Sequence, residues 1–208
     1  MSERNISKWP SEVARCKNFS IALKENFAVA KSDRKVSSAV DVLFAGLSRP
    51  ASAGSQHPCR LPACRHFPDA ISFAKSVSPE LARLAIAFEA IEPSLEWMVR
   101  ASGGPFASAS WPEGHANATI IGSASALETR DDIAIGASLL APNVRYPDHS
   151  HAPEEVYLLL TPGHFQHGDS DWMALAPVET LHNEPRIKHA MASDDGPLLA
   201  FWCLLMQQ

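Results

Sequence analysis

His149-Ser150-His151-Ala152-Pro153-Glu154-Glu155-Val156-Tyr157 decides how this chain is read. Side chains on a strand alternate faces with period two, so His149 and His151 point the same way. Glu155 and Tyr157 share a face after the short turn at Ala152-Pro153. Two imidazoles and a carboxylate so placed can serve one metal ion, with a phenol beside it. A fourth candidate, His189 in Ile187-Lys188-His189-Ala190, lies far downstream and can arrive on a neighbouring strand. Nitrogen and oxygen donors without thiolate suit Zn, Fe(II), Mn, Co or Ni, and the residue types do not choose among them. An isolated His-x-His is common on protein surfaces. Glu155, the apolar run 156–160 and the distal histidine make this one specific. We therefore expect one divalent transition-metal ion, bound by neutral imidazoles and an ionised carboxylate and released in acid.

The 208 residues suffice for one large domain, or one domain with a helical extension. Charged residues at 20% and apolar residues at 46% are ordinary for a soluble globular protein. A formal net charge of -5, with no stripe of Lys or Arg, speaks against a nucleic-acid partner. No apolar run approaches the roughly 18 residues of a membrane span. The polar start Met1-Ser2-Glu3-Arg4-Asn5 precedes no apolar stretch, so neither a membrane nor a secretory signal is expected and residence is read as cytoplasmic. The four cysteines then form no disulfide framework. Cys59 and Cys64 lie between His57 and His66 at a spacing that matches no common zinc finger, and read as a loop with thiols packed inward.

The chain divides into a helical first half, 1–104, and a strand-rich second half, 105–208. Val13, Phe19, Leu23, Phe27 and Ala30 keep helical spacing, as do Val40, Leu43, Phe44 and Leu47. Ser78-Pro79-Glu80 starts another helix, with a capping hydroxyl, proline in the first turn and an early acid. The prolines between 48 and 68 read as loop. After Gly103-Gly104-Pro105, short apolar or alternating runs at 119–121, 133–135, 138–140, 156–160, 172–175 and 198–205 have the spacing of antiparallel strands. The fold expected is mainly β, a small antiparallel barrel carrying the metal site, with a helical N-terminal segment packed on it.

This pattern resembles the cupin superfamily, with its double-stranded β-helix. Asn143 stands where those proteins usually have glycine, Gly163 follows the first motif as expected, and Pro185-Arg186-Ile187 replaces Pro-x-Gly in the second. The stretch from Tyr146 through Tyr157, the gap to His189 and the ending Pro197-Leu198-Leu199-Ala200-Phe201-Trp202-Cys203 are similar to the cupin-type dimethylsulfoniopropionate (DMSP) lyases. The resemblance implies a carbon–sulfur lyase that splits DMSP into dimethyl sulfide and acrylate. It implies His149, His151, Glu155 and His189 as ligands, with Tyr146 and Tyr157, the chain's two tyrosines, flanking the substrate.

β-Elimination next to a carboxylate needs a Lewis acid for the developing enolate charge and a base at the α-proton. A nearby cation favours a phenolate, so either tyrosine qualifies as base, Tyr146 ranking slightly first. The sulfonium calls for an aromatic face, for which Trp111, Phe165, Trp172 and Trp202 are candidates, each also a plausible core residue. His164, His167 and His182 read as solvent-facing turn residues. Two rival readings stay open: an Fe(II)-dependent cupin dioxygenase and a small-molecule-binding cupin without chemistry. The partner expected is a small molecule, with a homodimer left open.

Overall fold

The computed structural model describes residues 12–30, 33–55, 57–100 and 105–206. The polar start at 1–5, the Gly103-Gly104 break and the Val13 side chain lie outside that description.

Helices α1 (Glu12–Val29), α2 (Arg34–Leu47), α3 (Phe67–Val77) and α4 (Pro79–Ile91) fill the first half. Asp33 caps α2 by accepting from the Val36 amide at 2.9 Å, and Ser78 caps α4 by accepting from Leu81 at 3.1 Å. Helix α3 and a 3-10 turn over Pro62–His66 begin within the proline-rich stretch read as loop. The first amides of a helix have no intrahelical acceptor, so Pro62 and Pro68 start these turns instead of breaking them.

The described residues form twelve strands: β1 (Ser52–Ala53), β2 (Trp97–Met98), β3 (His115–Gly122), β4 (Glu128–Thr129), β5 (Ile133–Leu140), β6 (Arg145–His149), β7 (Glu154–Leu159), β8 (Gly163–His167), β9 (Met173–Leu175), β10 (Thr180–Asn183), β11 (His189–Ala192) and β12 (Leu198–Leu205). One sheet runs β1-β4-β3-β5-β12-β7-β10, with β2 on the edge of β3; the other runs β6-β11-β8-β9. Strands β1 and β2 come from the helical half and join the larger sheet.

The two sheets face each other over Tyr157, Leu159, Leu198 and Ala200 from the large sheet and Tyr146, Phe165 and Met191 from the small one. The large sheet's other face takes the helices, where Phe19 and Phe88 pack edge-on against Phe201 with ring centroids 5.1 and 4.8 Å away. Strand β5 is therefore buried along its whole length. The architecture is mainly β, of the double-stranded β-helix type. The expected barrel takes the form of two facing sheets, because each keeps its own hydrogen-bond ladder and none closes them among the described residues. No described helix is long and apolar enough to cross a membrane.

Asn143 adopts φ +58, the left-handed conformation that glycine supplies elsewhere and that asparagine tolerates best among other residues. The tight turn into β6 thus survives the exchange. Arg186 is likewise left-handed, and its amide donates to the His151 carbonyl at 2.8 Å, tying the turn before β11 to the turn after β6.

Candidate metal centre

Strand register gathers the motif. Strands β6 and β11 pair antiparallel with His189 directly opposite His149, and a bulge follows between His189 and Met191. Across the cleft, β7 presents Glu155 and Tyr157 from the large sheet. His151, in the turn between β6 and β7, closes the group. Its Nε2 lies 3.2 Å from Glu155 Oε2, and that of His189 lies 3.3 Å from the same oxygen. One donor atom each from His151, Glu155 and His189 fits within 4.8 Å, a set that could hold a metal ion. His149 stands beside it, its ring centroid 4.1 Å from His189 and 6.3 Å from His151.

The imidazoles are oriented by the backbone. His149 Nδ1 donates to the Pro147 carbonyl at 2.9 Å, His151 Nδ1 to Pro153 at 3.0 Å and His189 Nδ1 to Ile187 at 3.0 Å. Each ring is thereby held as the tautomer whose Nε2 carries the lone pair, the arrangement metal-ligating histidines need. The Nε2 atoms of His151 and His189 are buried without a hydrogen-bond partner. Lone pairs aimed at a carboxylate oxygen repel it unless a cation sits between, so the donor set fits a bound divalent metal.

Burial, reinforced by His189, pushes the His149 imidazole down to about 3, and burial also lowers His189. Burial works against charge on His151, but Glu155 outweighs it and holds that ring above its ordinary value. Glu155 in turn is held below the usual carboxylate range, because its hydrogen bonds and the facing histidines outweigh the cost of burying it.

Both tyrosines line the same cleft of about 260 Å³. The Tyr146 hydroxyl accepts from Asn117 Nδ2 at 3.1 Å, and the Ser138 hydroxyl donates to Asn117 Oδ1 at 2.6 Å. Burial raises the Tyr146 phenol, against the opposing pull of the Asn117 amide and the Arg100 guanidinium. Tyr157 is raised well above its ordinary value, by burial first and then by neighbouring Glu155. Asn183, opposite Glu155 in the β7–β10 register, donates to Glu155 Oε2 at 2.9 Å, and His167 Nδ1 reaches Asn183 Oδ1 at 3.3 Å.

The histidines expected to face solvent from turns lie on strands. His167 joins the Asn183 network, and His182 is mostly buried against Glu154 at 2.7 Å. His164 pairs with Asp194 at 2.7 Å. Strand pairing partners these rings where local sequence suggested turns. Phe165 is core, Trp111 stacks on His115, Trp172 lies beside Arg145, and Trp202 alone of the four named aromatics lines the cleft. Cys64 packs inward as expected but Cys59 is exposed; all four cysteines are free thiols.

A family model for dimethylsulfoniopropionate lyases matches residues 35–200. The chain belongs to the DMSP lyase family. The family is one of carbon–sulfur lyases, and it implies a small-molecule substrate. Among solved structures, a chain from a study titled with the DMSP lyases RdDddP and RnDddQII superposes with a TM-score of 0.71 at 17% identity, covering 94% of both chains. The DMSP lyase DddQ from Ruegeria pomeroyi DSS-3 superposes with a TM-score of 0.67 at 20% identity, covering 91% of both. These likenesses show that the DMSP lyase fold extends over nearly the whole chain, helices included. A search of curated proteins finds no match.

Proposed function

We propose that this protein cleaves DMSP into dimethyl sulfide and acrylate by β-elimination, with His149, His151, Glu155 and His189 holding one divalent metal ion and Tyr146 taking the α-proton. The observation that carries the reading is the Tyr146 hydroxyl, fixed by Asn117 in the cleft lined by His149, His151 and Glu155, with its ring centroid 5.0 Å from His149. When bound, the ion supplies a Lewis acid for the substrate carboxylate. Its identity among Zn, Fe(II), Mn, Co and Ni is left to experiment.

The remaining chemistry belongs to the chain's own groups. Asn117 donates to the phenol oxygen, so it stabilises the phenolate over the phenol, and Ser138 holds the amide in that orientation. Arg100 adds positive charge on the same side. Tyr157 is raised further, by complete burial first and then by the Glu155 carboxylate beside it, which disfavours a second negative charge. Tyr146 is accordingly the base and Tyr157 a wall of the cleft. The phenolate removes a proton from Cα, the electrons form the Cα–Cβ double bond, and the Cβ–S pair leaves on sulfur as neutral dimethyl sulfide. The proton stays on the Tyr146 oxygen until water removes it.

Headspace dimethyl sulfide from metal-loaded protein given DMSP tests the reading, with acrylate and oxygen followed alongside. Release should match acrylate, consume no oxygen and vanish in His151→Ala; oxygen consumption would favour the dioxygenase reading. Loss of a positioned base costs about 10²–10⁴-fold, so Tyr146→Phe should lose that much turnover and Tyr157→Phe far less. Full turnover in Tyr146→Phe sinks the assignment of the base.

A further inference from the structure

Arg100 is the only Lys or Arg among the described residues that line the cleft. It lies two residues past the end of β2, whose residue Met98 pairs with Asn117 on β3. Its backbone amide donates to His115 Nε2 at 3.0 Å, while His115 Nδ1 donates to the Trp111 carbonyl at 2.6 Å. His115 is 1% exposed and stacks on Trp111 with ring centroids 4.1 Å apart and planes 6° from parallel. Both ring nitrogens are therefore committed, and the imidazole is a rigid post for the backbone of Arg100. The side chain is half-buried and lines the cleft together with Tyr146, His149 and His151, near enough for its charge to act on the Tyr146 phenol and the His149 imidazole. No carboxylate hydrogen bond or salt bridge to it is found among the described residues, whereas Arg83, Arg130 and Arg145 all have one.

A guanidinium oriented into a cleft without a protein anion is a recognition element for an incoming one, because its planar fork matches a carboxylate. Resting on the lyase reading above, we propose that Arg100 is a substrate-binding residue that takes one oxygen of the substrate carboxylate, with His115 as the positioning residue that holds it there. The other oxygen is left for the histidine–glutamate cluster. Since Cα is one bond from the carboxylate carbon, anchoring the carboxylate between Arg100 and the cluster brings the α-proton to the Tyr146 oxygen beside Arg100. The arrangement selects 3-substituted propionates and rejects their esters and amides.

The test uses acrylate, a carboxylate without sulfonium, bound to the metal-loaded full chain and followed by ligand-observed NMR titration. Metal affinity is measured in parallel by chelator competition. A charge-assisted hydrogen bond lost here should weaken acrylate about 10- to 100-fold in Arg100→Met, with metal affinity unchanged and part of the binding restored in Arg100→Lys. His115→Phe, which keeps the stack on Trp111 but removes the acceptor, should raise KM for DMSP more than it lowers kcat. Half-exposed Arg100 can be replaced without loss of the fold, which a thermal melt checks. Unchanged acrylate binding in Arg100→Met overturns the proposal while leaving the lyase reading intact. Wild-type protein that binds acrylate but does not turn over DMSP strikes the lyase reading instead, and failure to bind acrylate at all strikes both.

Discussion

Asn183 is fully buried with its amide nitrogen 2.9 Å from Glu155 Oε2, and a buried carboxylate so held cannot swing out of the cluster. Groups that orient metal ligands typically cost 10- to 100-fold in metal affinity when removed. Asn183→Leu, similar in volume but unable to donate, should weaken metal binding by that amount in chelator competition, and His167→Ala by less, since it acts only through Asn183. Equal affinity in Asn183→Leu and wild type would reduce Asn183 to a packing residue. Neither Asn183 nor Asn117 was legible in the sequence, and the reason is physical. His149, His151 and Glu155 announce themselves through the local period of strands and a single turn. Asn183 and Asn117 earn their partners only through register between strands distant in the chain, which local spacing does not encode. Arg100 and His115 are hidden in the same way, because their roles depend on the short edge strand β2.

At the scale of elements, β5 and β12 pair so that Gly136 stands directly opposite Trp202. A Cβ at Gly136 would lie 2.0 Å from Trp202 Cζ2 and 2.5 Å from the Ala118 carbonyl oxygen, so glycine there gives the indole its place along the cleft wall. Gly136→Ala must displace either the ring or the backbone of β3. Overpacking of this kind costs about 1–3 kcal/mol, and a fall of several degrees in Tm is expected, with a higher KM for DMSP because Trp202 shifts. An unchanged melt would mean that the sheet yields there without strain. The strand runs were readable because apolar stretches broken by turn residues leave few alternatives. The α3 region was not, since prolines that end most helices also start them. The closure of the sheets was not readable either, because alternation within a strand is the same in a barrel and in two facing sheets.

Over the whole molecule, one core ties helices to sheets: Phe19, Phe88 and Trp97 belong to the same buried cluster as Leu158, Phe201 and Cys203. Protonation of a buried group should therefore be felt in the global transition and not in a local one. His115 is the informative group, its pKa lowered by burial, with Nε2 accepting from Arg100 and so unable to carry a proton without breaking that bond. The unfolded chain takes up this proton near pH 6.5 and the folded one only below its depressed value, so more protons are bound on unfolding and stability falls as pH drops below about 6.5. His149 and His189, lowered by burial, act in the same direction, and Glu155 loses its contribution as pH falls through its own depressed value. His151 acts oppositely: its pKa is raised, so its contribution is complete in acid and is lost as pH rises through the folded value. His66, lowered by burial and then by Arg65, adds to that direction, so four lowered histidines oppose one raised, and the Tm of metal-free protein should fall steadily from pH 7 to pH 5, with a shallower slope in His115→Phe. Added metal should raise Tm most at the alkaline end, where the donors are deprotonated. A Tm that rises on acidification, or a slope that His115→Phe leaves untouched, would mean that these rings already carry protons in the fold.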